Sequence, residues 1–175
     1  DYSPNVEGII WFCREVLPAI QPELNLRLQI VGRRPSKRVL ELNGIPGVEV
    51  VGEVPDVRPY LWGADIAISP LKLARGIQNK VLEAMASGCP CLVADTGGLR
   101  EVVPDEEVGL RFRARDPESL AEMTIRVLDD AKLCRRLTAE AFNHLRRFDW
   151  ADVAERTAGV YEELVELRSA PAAEA

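Results

Sequence analysis

Hydrophobic residues recur along this chain with two alternating patterns. Segments in which apolar residues return every three or four positions predict amphipathic helices, and the short apolar runs between them predict strands. Glycine, proline and aspartate, which are typical of turns, separate these segments. Because helix and strand alternate from about residue 3 to residue 165, the pattern predicts a doubly wound, Rossmann-like parallel sheet of the α/β class.

The predicted strands are short and mostly apolar. The run at 65–69 and the run at 91–94 have almost no polar residue, as expected of parallel strands covered on both faces. Predicted strands cover residues 26–31, 48–52, 65–69, 91–94 and, as a weak edge strand, 109–112.

The predicted helices rest on spacing and on caps. Ser3 followed by Pro4, and Asp116 followed by Pro117, are typical of helix starts, whereas Pro18 predicts a bend in the first helix. A last helix begins near residue 149, and its Val153, Val160 and Leu164 are expected to pack. We predict a domain at 1–168 and a disordered tail at 169–175. Other helices are predicted near 36–42, 56–62, 79–87 and 97–103, with two more before the last one.

Composition excludes several classes of protein. The net charge of −6 disfavours a nucleic-acid binder, which would carry a basic stripe. No apolar run reaches the roughly 18 residues that span a bilayer, so we expect no membrane span. Neither a metal site nor a catalytic thiol is expected, because the cysteines lack a C-x-x-C pair and His144 has no partner motif. These residues are predicted to be structural: Cys13, Cys89, Cys91 and Cys134 in the core, and His144 structural or solvated.

The stretch from Pro70 to Gly98 carries the densest candidate chemistry. A predicted strand leads into a loop that turns on Gly76 and then into a helix, an arrangement whose free N–H groups favour a phosphate. Glu83, about one turn into the helix, could accept two hydrogen bonds from the vicinal diol of a ribose, so the geometry suits a nucleotide. A solvated carboxylate is the alternative. For Lys80, phosphate binding competes with an ion pair to Glu83 or to a surface acid.

This stretch resembles the donor-binding signature of glycosyltransferase family 4, retaining enzymes of the GT-B fold. Four other segments lie at positions where that family has similar segments. The sequence of residues 74–80 is most similar to that of bacterial sugar transferases associated with exopolysaccharide systems. The matching positions are Gly76, Lys80, Glu83–Ala86, Gly88, Pro90, Gly97 and Gly98, supported by the segments Pro4–Gly8, Ile30–Arg33, Val54–Leu61 and Phe148–Trp150.

The resemblance implies the C-terminal, donor-binding half of an enzyme that transfers a sugar from a UDP- or GDP-sugar in polysaccharide or glycoconjugate synthesis. It implies no other cofactor and no metal. Glu83 would take the ribose hydroxyls, and the backbone at 76–78 would approach the diphosphate and sugar. We also expect a cytoplasmic location, with peripheral association with the inner membrane face through the N-terminal half of such an enzyme. The implied ligand-binding residues are Gly32, Arg33, Val54, Arg75, Gly76, Ile77, Gln78, Lys80 and Glu83, and no residue is a credible catalytic base or nucleophile.

Two features depart from the family pattern. Arg75 stands where the family usually has a glutamate that contacts the sugar, so we expect it to neutralise the diphosphate, to bind an acidic sugar, or merely to be solvated. Residues 1–8 contain neither the usual phosphate-binding arginine nor the lysine, and we expect a missing N-terminal part to supply the first, central strand of the sheet. A non-catalytic nucleotide-sugar-binding or structural module is the alternative, and a receiver or flavodoxin-like domain ranks last.

Overall fold

The computed structural model describes residues 2–22 and 24–169. Helices and parallel strands alternate, which confirms the α/β prediction. The predicted tail lies outside the described residues except for Ser169, which ends the last helix. The helices are α1 (Ser3–Trp11), α2 (Leu17–Ile20), α3 (Lys37–Leu40), α4 (Arg58–Trp62), α5 (Asn79–Ala86), α6 (Gly97–Val102), α7 (Pro117–Asp129), α8 (Ala131–Leu145) and α9 (Trp150–Ser169); the strands are β1 (Leu28–Val31), β2 (Val48–Gly52), β3 (Ala67–Ser69), β4 (Cys91–Ala94) and β5 (Leu110–Phe112).

The five strands form two parallel sheets instead of one. β1 pairs with β2, and β4 lies between β3 and β5. Within the described residues no backbone ladder joins the two sheets. Side chains from both sheets, such as Val48 of β2 and Leu92 of β4, are nevertheless buried in one hydrophobic core.

The first helix differs from the prediction at both ends. Tyr2 is its N-cap, and the side chain of Ser3 instead donates a hydrogen bond to Glu7. In place of a simple bend at Pro18, Phe12–Val16 form a π-helical turn before α2 begins. Proline lacks an N–H and clashes with the carbonyl four residues earlier, and the wider turn carries the chain past that obstacle.

Most short elements are shorter than predicted. β1 starts two residues late, β3 starts two residues late, and α3 gives way to a 3-10 turn at Glu41–Gly44. α4 starts at Arg58 because the carboxylate of Asp56 accepts hydrogen bonds from the backbone and side chain of Arg58, which holds these residues in a turn. The apolar pattern therefore located each element, and local polar contacts set its ends.

The prediction for the start of α7 is confirmed. Asp116 is the N-cap, and its carboxylate accepts a hydrogen bond of 2.9 Å from the backbone N–H of Ser119. Asp116 also forms a 2.8 Å ion pair with the exposed Arg113.

We predict that Asp116→Ala lowers the free energy of unfolding by about 1 kcal/mol, the usual value of a lost N-cap. Asp116→Asn keeps an oxygen that can cap the helix but removes the charge, so it serves as the control. Urea denaturation would measure both variants. Equal losses in the two would show that the ion pair with Arg113, and not the cap, stabilises this helix start.

The prediction that α9 packs along its length is wrong. Val160 is 57% exposed and Leu164 is 51% exposed, although Val153 near the start of the helix is half-buried. The described contacts of α9 concentrate on the preceding turn, Arg146–Phe148. An apolar face of α9 is therefore uncovered by the described residues.

The cysteines are free thiols that pack among other residues, and the histidine packs against an aromatic ring. Cys13, Cys89 and Cys91 are buried, and Cys134 is half-buried, all as free thiols. Burial raises the pKa of Cys13 and of Cys89 to about 11. The ring of His144 contacts Phe148 edge-on, with ring centres 5.4 Å apart. Between residues 2–22 and 24–169, no helix is long and apolar enough to cross a membrane, and no cluster of potential metal ligands occurs.

Candidate functional site

The predicted ligand-binding residues lie on loops that follow the carboxyl ends of strands. Gly32 and Arg33 follow β1, and Val54 follows β2. A 2.8 Å hydrogen bond from the N–H of Gly32 to the carbonyl of Gly52 brings these two loops together. Arg33 is exposed and Val54 is half-buried. Among the described residues, no hydrogen bond or ion pair links Gly32, Arg33 or Val54 to the loop after β3. The predicted site therefore consists of two groups of residues that are not bonded to each other.

The loop between β3 and α5 is fixed by backbone contacts. Gly76 has a φ of +65°, a conformation that favours glycine. The N–H of Gly98 donates to the carbonyl of Ala74 over 3.1 Å, and a Cβ atom on Gly98 would clash with the backbone of Gly76. The start of α6 thus packs directly against this loop.

The side chain of Gln78 belongs to the same loop. Its amide nitrogen donates to the carbonyl oxygens of Arg75 and Gly76, at 3.2 and 3.3 Å. We expected the backbone of Gln78 to approach a ligand, and the structure shows that its side chain stabilises the loop. Ile77, in contrast, is 52% exposed, so its side chain is accessible to a ligand.

Glu83 lies on the exposed face of α5. Val81 and Met85 on the other face are buried, which fixes the rotation of the helix. The Glu83 carboxylate is exposed and makes no hydrogen bond or ion pair with another described residue. It is therefore free to accept hydrogen bonds from a ligand.

Lys80 is not paired with Glu83 or with any other described acid. Its Nζ atom instead donates a 2.6 Å hydrogen bond to Oδ1 of Asn5, in the first turn of α1. Although Lys80 as a whole residue is exposed, burial of its ammonium group lowers its pKa to about 8. The sequence did not indicate this contact, because 75 residues separate the two side chains.

Other polar groups near this edge of the sheet were missed as well. Ser69 ends β3, is 4% exposed, and has no hydrogen-bond partner for its hydroxyl among the described residues. Thr96 follows β4, and its buried hydroxyl also lacks a described partner. The sequence feature that could have identified Ser69 and Thr96 is a polar residue at or just after the carboxyl end of an apolar strand. Asp95 is different, because a 2.6 Å ion pair with Arg100 occupies it and lowers its pKa.

Arg75 is exposed, and its guanidinium makes no hydrogen bond or ion pair within the described part of the chain. Along residues 70–88, the three cations Lys72, Arg75 and Lys80 outnumber the single acid, Glu83. The loop therefore carries positive charge beside one unpaired carboxylate, an arrangement that suits a ligand with both anionic and hydroxyl groups.

The fold and this loop define a Rossmann-like α/β domain with a candidate anion site at the carboxyl ends of its strands. Residues 1–130 match the family described as glycosyl transferases group 1. Phosphatidyl-myo-inositol mannosyltransferase of Mycobacterium leprae (strain TN) is 30% identical over 142 residues, which cover 79% of this chain and 38% of that protein. The chain belongs to the group 1 glycosyl transferase family.

Solved structures agree with this assignment at the level of the fold. Sucrose-phosphate synthase from Thermosynechococcus elongatus has a TM-score of 0.71 and 24% identity, with 95% of this chain and 44% of that chain covered. HepE of Anabaena, solved in complex with UDP, has a TM-score of 0.72 and 17% identity, with 88% and 46% covered. The fold is therefore that of GT-B glycosyltransferases, and this chain spans less than half the length of each of these proteins.

Proposed function

We propose that the protein transfers a sugar from a nucleotide diphosphate sugar to an acceptor, and that this chain supplies the donor-binding half. The unpaired Glu83 carboxylate, one turn above the loop at Gly76, carries the proposal. A ribose diol can donate to the carboxylate while the loop N–H groups and nearby cations hold the diphosphate. HepE is a relative in fold that was solved with UDP and with UDP-glucose.

The remaining predicted residues take supporting roles. Gly32, Arg33 and Val54 would flank the base, while the backbone of Gly76 and the exposed Ile77 would face the diphosphate and sugar. We expect a UDP- or GDP-sugar as donor, no other cofactor, and no metal.

We propose that catalysis needs a second half of the protein. No described residue combines the position and chemistry of a catalytic base or nucleophile, so this domain would act by stabilising charge on the leaving diphosphate. The two unjoined sheets and the exposed face of α9 support a partner that supplies a central strand and covers Val160 and Leu164. We expect residues 1–175 alone to show no sugar transfer in a single-turnover assay.

We infer a retaining hexosyltransferase of polysaccharide or glycoconjugate synthesis, since the 74–80 segment resembles sugar transferases of exopolysaccharide systems. Cytoplasmic location, with peripheral attachment at the inner membrane face through the second half, would give such an enzyme access to its donor.

Calorimetric titration of the full-length protein against UDP-, GDP- and ADP-sugars tests the proposal. We expect one nucleotide class to bind clearly better than the other two. If none binds, the domain is a structural module and the donor-site assignment is wrong.

Arg75 offers a more specific prediction. Arg75→Glu should weaken UDP binding severalfold if Arg75 neutralises the diphosphate, because it brings like charges together. If Arg75 instead binds an acidic sugar, UDP binding stays the same and only the preference for UDP-glucuronate over UDP-glucose is lost. Arg75→Gln, which removes charge without reversing it, should show the same trend more weakly. Unchanged binding of all three ligands would leave Arg75 as a solvated surface residue.

A non-catalytic nucleotide-sugar-binding module is the second candidate. It is favoured by one observation, the arginine at position 75 where the family usually has a glutamate. A full-length protein that binds a donor but neither hydrolyses nor transfers its sugar would support this module over the transferase.

A further inference from the structure

We infer that Asn5 is a positioning residue that holds the ammonium group of Lys80 as a counter-ion for the donor diphosphate. This inference rests on the proposed function and deepens it by assigning a second segment, α1, to the donor site. Neither the spacing of residues 70–98 nor the resemblance assigns a role to Asn5.

The geometry connects two helix starts. Asn5 lies in the first turn of α1, Lys80 is the second residue of α5, and the 2.6 Å hydrogen bond joins their side chains. α1 also packs closely against the loop between β3 and α5, because a Cβ atom on Gly8 would clash with the carbonyl of Pro70 at the start of that loop. α1 therefore cannot move away from this loop without breaking both contacts.

The chemistry of the pair leaves a positive charge available. An aspartate at position 5 would form an ion pair with Lys80 and cancel its charge, whereas the amide oxygen of Asn5 accepts the hydrogen bond and leaves the charge in place. No described carboxylate lies within ion-pair distance of Lys80. Because a partly desolvated cation without a counter-ion is unfavourable, an anionic ligand at this position would be stabilised.

The position of Lys80 selects the diphosphate over the ribose. Lys80 precedes Glu83 by three residues and follows the loop at Gly76 by four. It therefore lies on the loop side of the carboxylate that we assign to the ribose. A single diphosphate can then contact the loop N–H groups and Lys80 together.

The test compares a nucleoside diphosphate with its nucleoside in the full-length protein. UDP and GDP are titrated by calorimetry, and uridine and guanosine are titrated at millimolar concentration by ligand-observed NMR. Lys80→Met should lower the ratio of diphosphate to nucleoside affinity about tenfold, and Asn5→Asp about fivefold, with nucleoside affinity unchanged in both. Lys37→Met and Asn143→Asp, the same changes at exposed positions on α3 and α8, serve as controls.

Asn5→Asp distinguishes positioning from a purely structural role. A structural contact would be kept or strengthened by aspartate, so thermal stability would stay the same or rise and UDP affinity would not fall. Wild-type ratios in both variants, or equal losses of UDP and uridine, would overturn the inference while the proposed function stands. If wild-type protein binds neither UDP nor GDP, the proposed function has failed and this inference fails with it.

Discussion

Glu83→Gln in the full-length protein should weaken donor binding about tenfold, the equivalent of roughly 1.4 kcal/mol. The carboxylate is exposed and has no partner among the described residues, so its hydrogen-bonding capacity is available to a ligand. Glutamine keeps the shape and the helix propensity of the side chain but removes the charge and one acceptor oxygen. Calorimetric titration with the nucleotide sugar that binds the wild-type protein measures the change.

A deoxy-ribose ligand identifies the contact that is lost. Wild-type protein should bind UDP more tightly than 2′-deoxy-UDP, and Glu83→Gln should bind the two about equally. Glu140→Gln makes the same change at an exposed helical glutamate on α8 and should leave both affinities unaltered. If Glu83→Gln retains wild-type donor affinity, Glu83 is a solvated surface residue and the ribose binds elsewhere.

Gly98→Ala should destabilise the protein and weaken donor binding at the same time. The added Cβ atom would clash with backbone atoms of Gly76, and a backbone cannot rotate away as a side chain can. Overpacking of this kind costs about 1–3 kcal/mol. Because the displaced segment is the loop assigned to the diphosphate, we also expect donor affinity to fall tenfold or more. Thermal unfolding and donor titration measure the two effects.

Gly159→Ala is the matched control for this change. A Cβ atom at position 159 meets no atom within 4 Å, and alanine is favoured over glycine inside a helix by roughly 0.5–1 kcal/mol. The control should therefore be neutral or slightly stabilising. Wild-type stability and affinity in Gly98→Ala would mean that α6 can shift freely, and that it does not fix the donor loop.

The sequence predicted the order and type of the elements because apolar periodicity records which side of each segment is buried. Cys91–Ala94 was predicted with correct bounds, and Asp116–Pro117 was correctly predicted as a helix start. Val160 and Leu164 show the limit of this reasoning. Their spacing indicates an apolar helix face, but spacing alone does not specify what covers that face.

The candidate site was predictable only where its residues are close in sequence. Gly76, Lys80 and Glu83 lie on one loop and one helix, so the order of residues places them together. The contact of Lys80 with Asn5 and that of Gly98 with Gly76 depend on how distant segments dock. The spacing of residues along the chain does not specify that docking. The burial of the Ser69 and Thr96 hydroxyls without a described partner depends on the same docking, although their positions after apolar strands were visible in the sequence.

The native thiols leave this protein well suited to selective chemical labelling. Protonated thiols react slowly with alkylating probes. Burial raises the pKa of Cys13, Cys89 and Cys91, and it also raises the pKa of the less deeply buried Cys134. A cysteine introduced at the exposed position of Ile77 would be the more reactive site at neutral pH. A fluorophore attached there would report directly on ligand entering the loop at Gly76, without removal of any native cysteine.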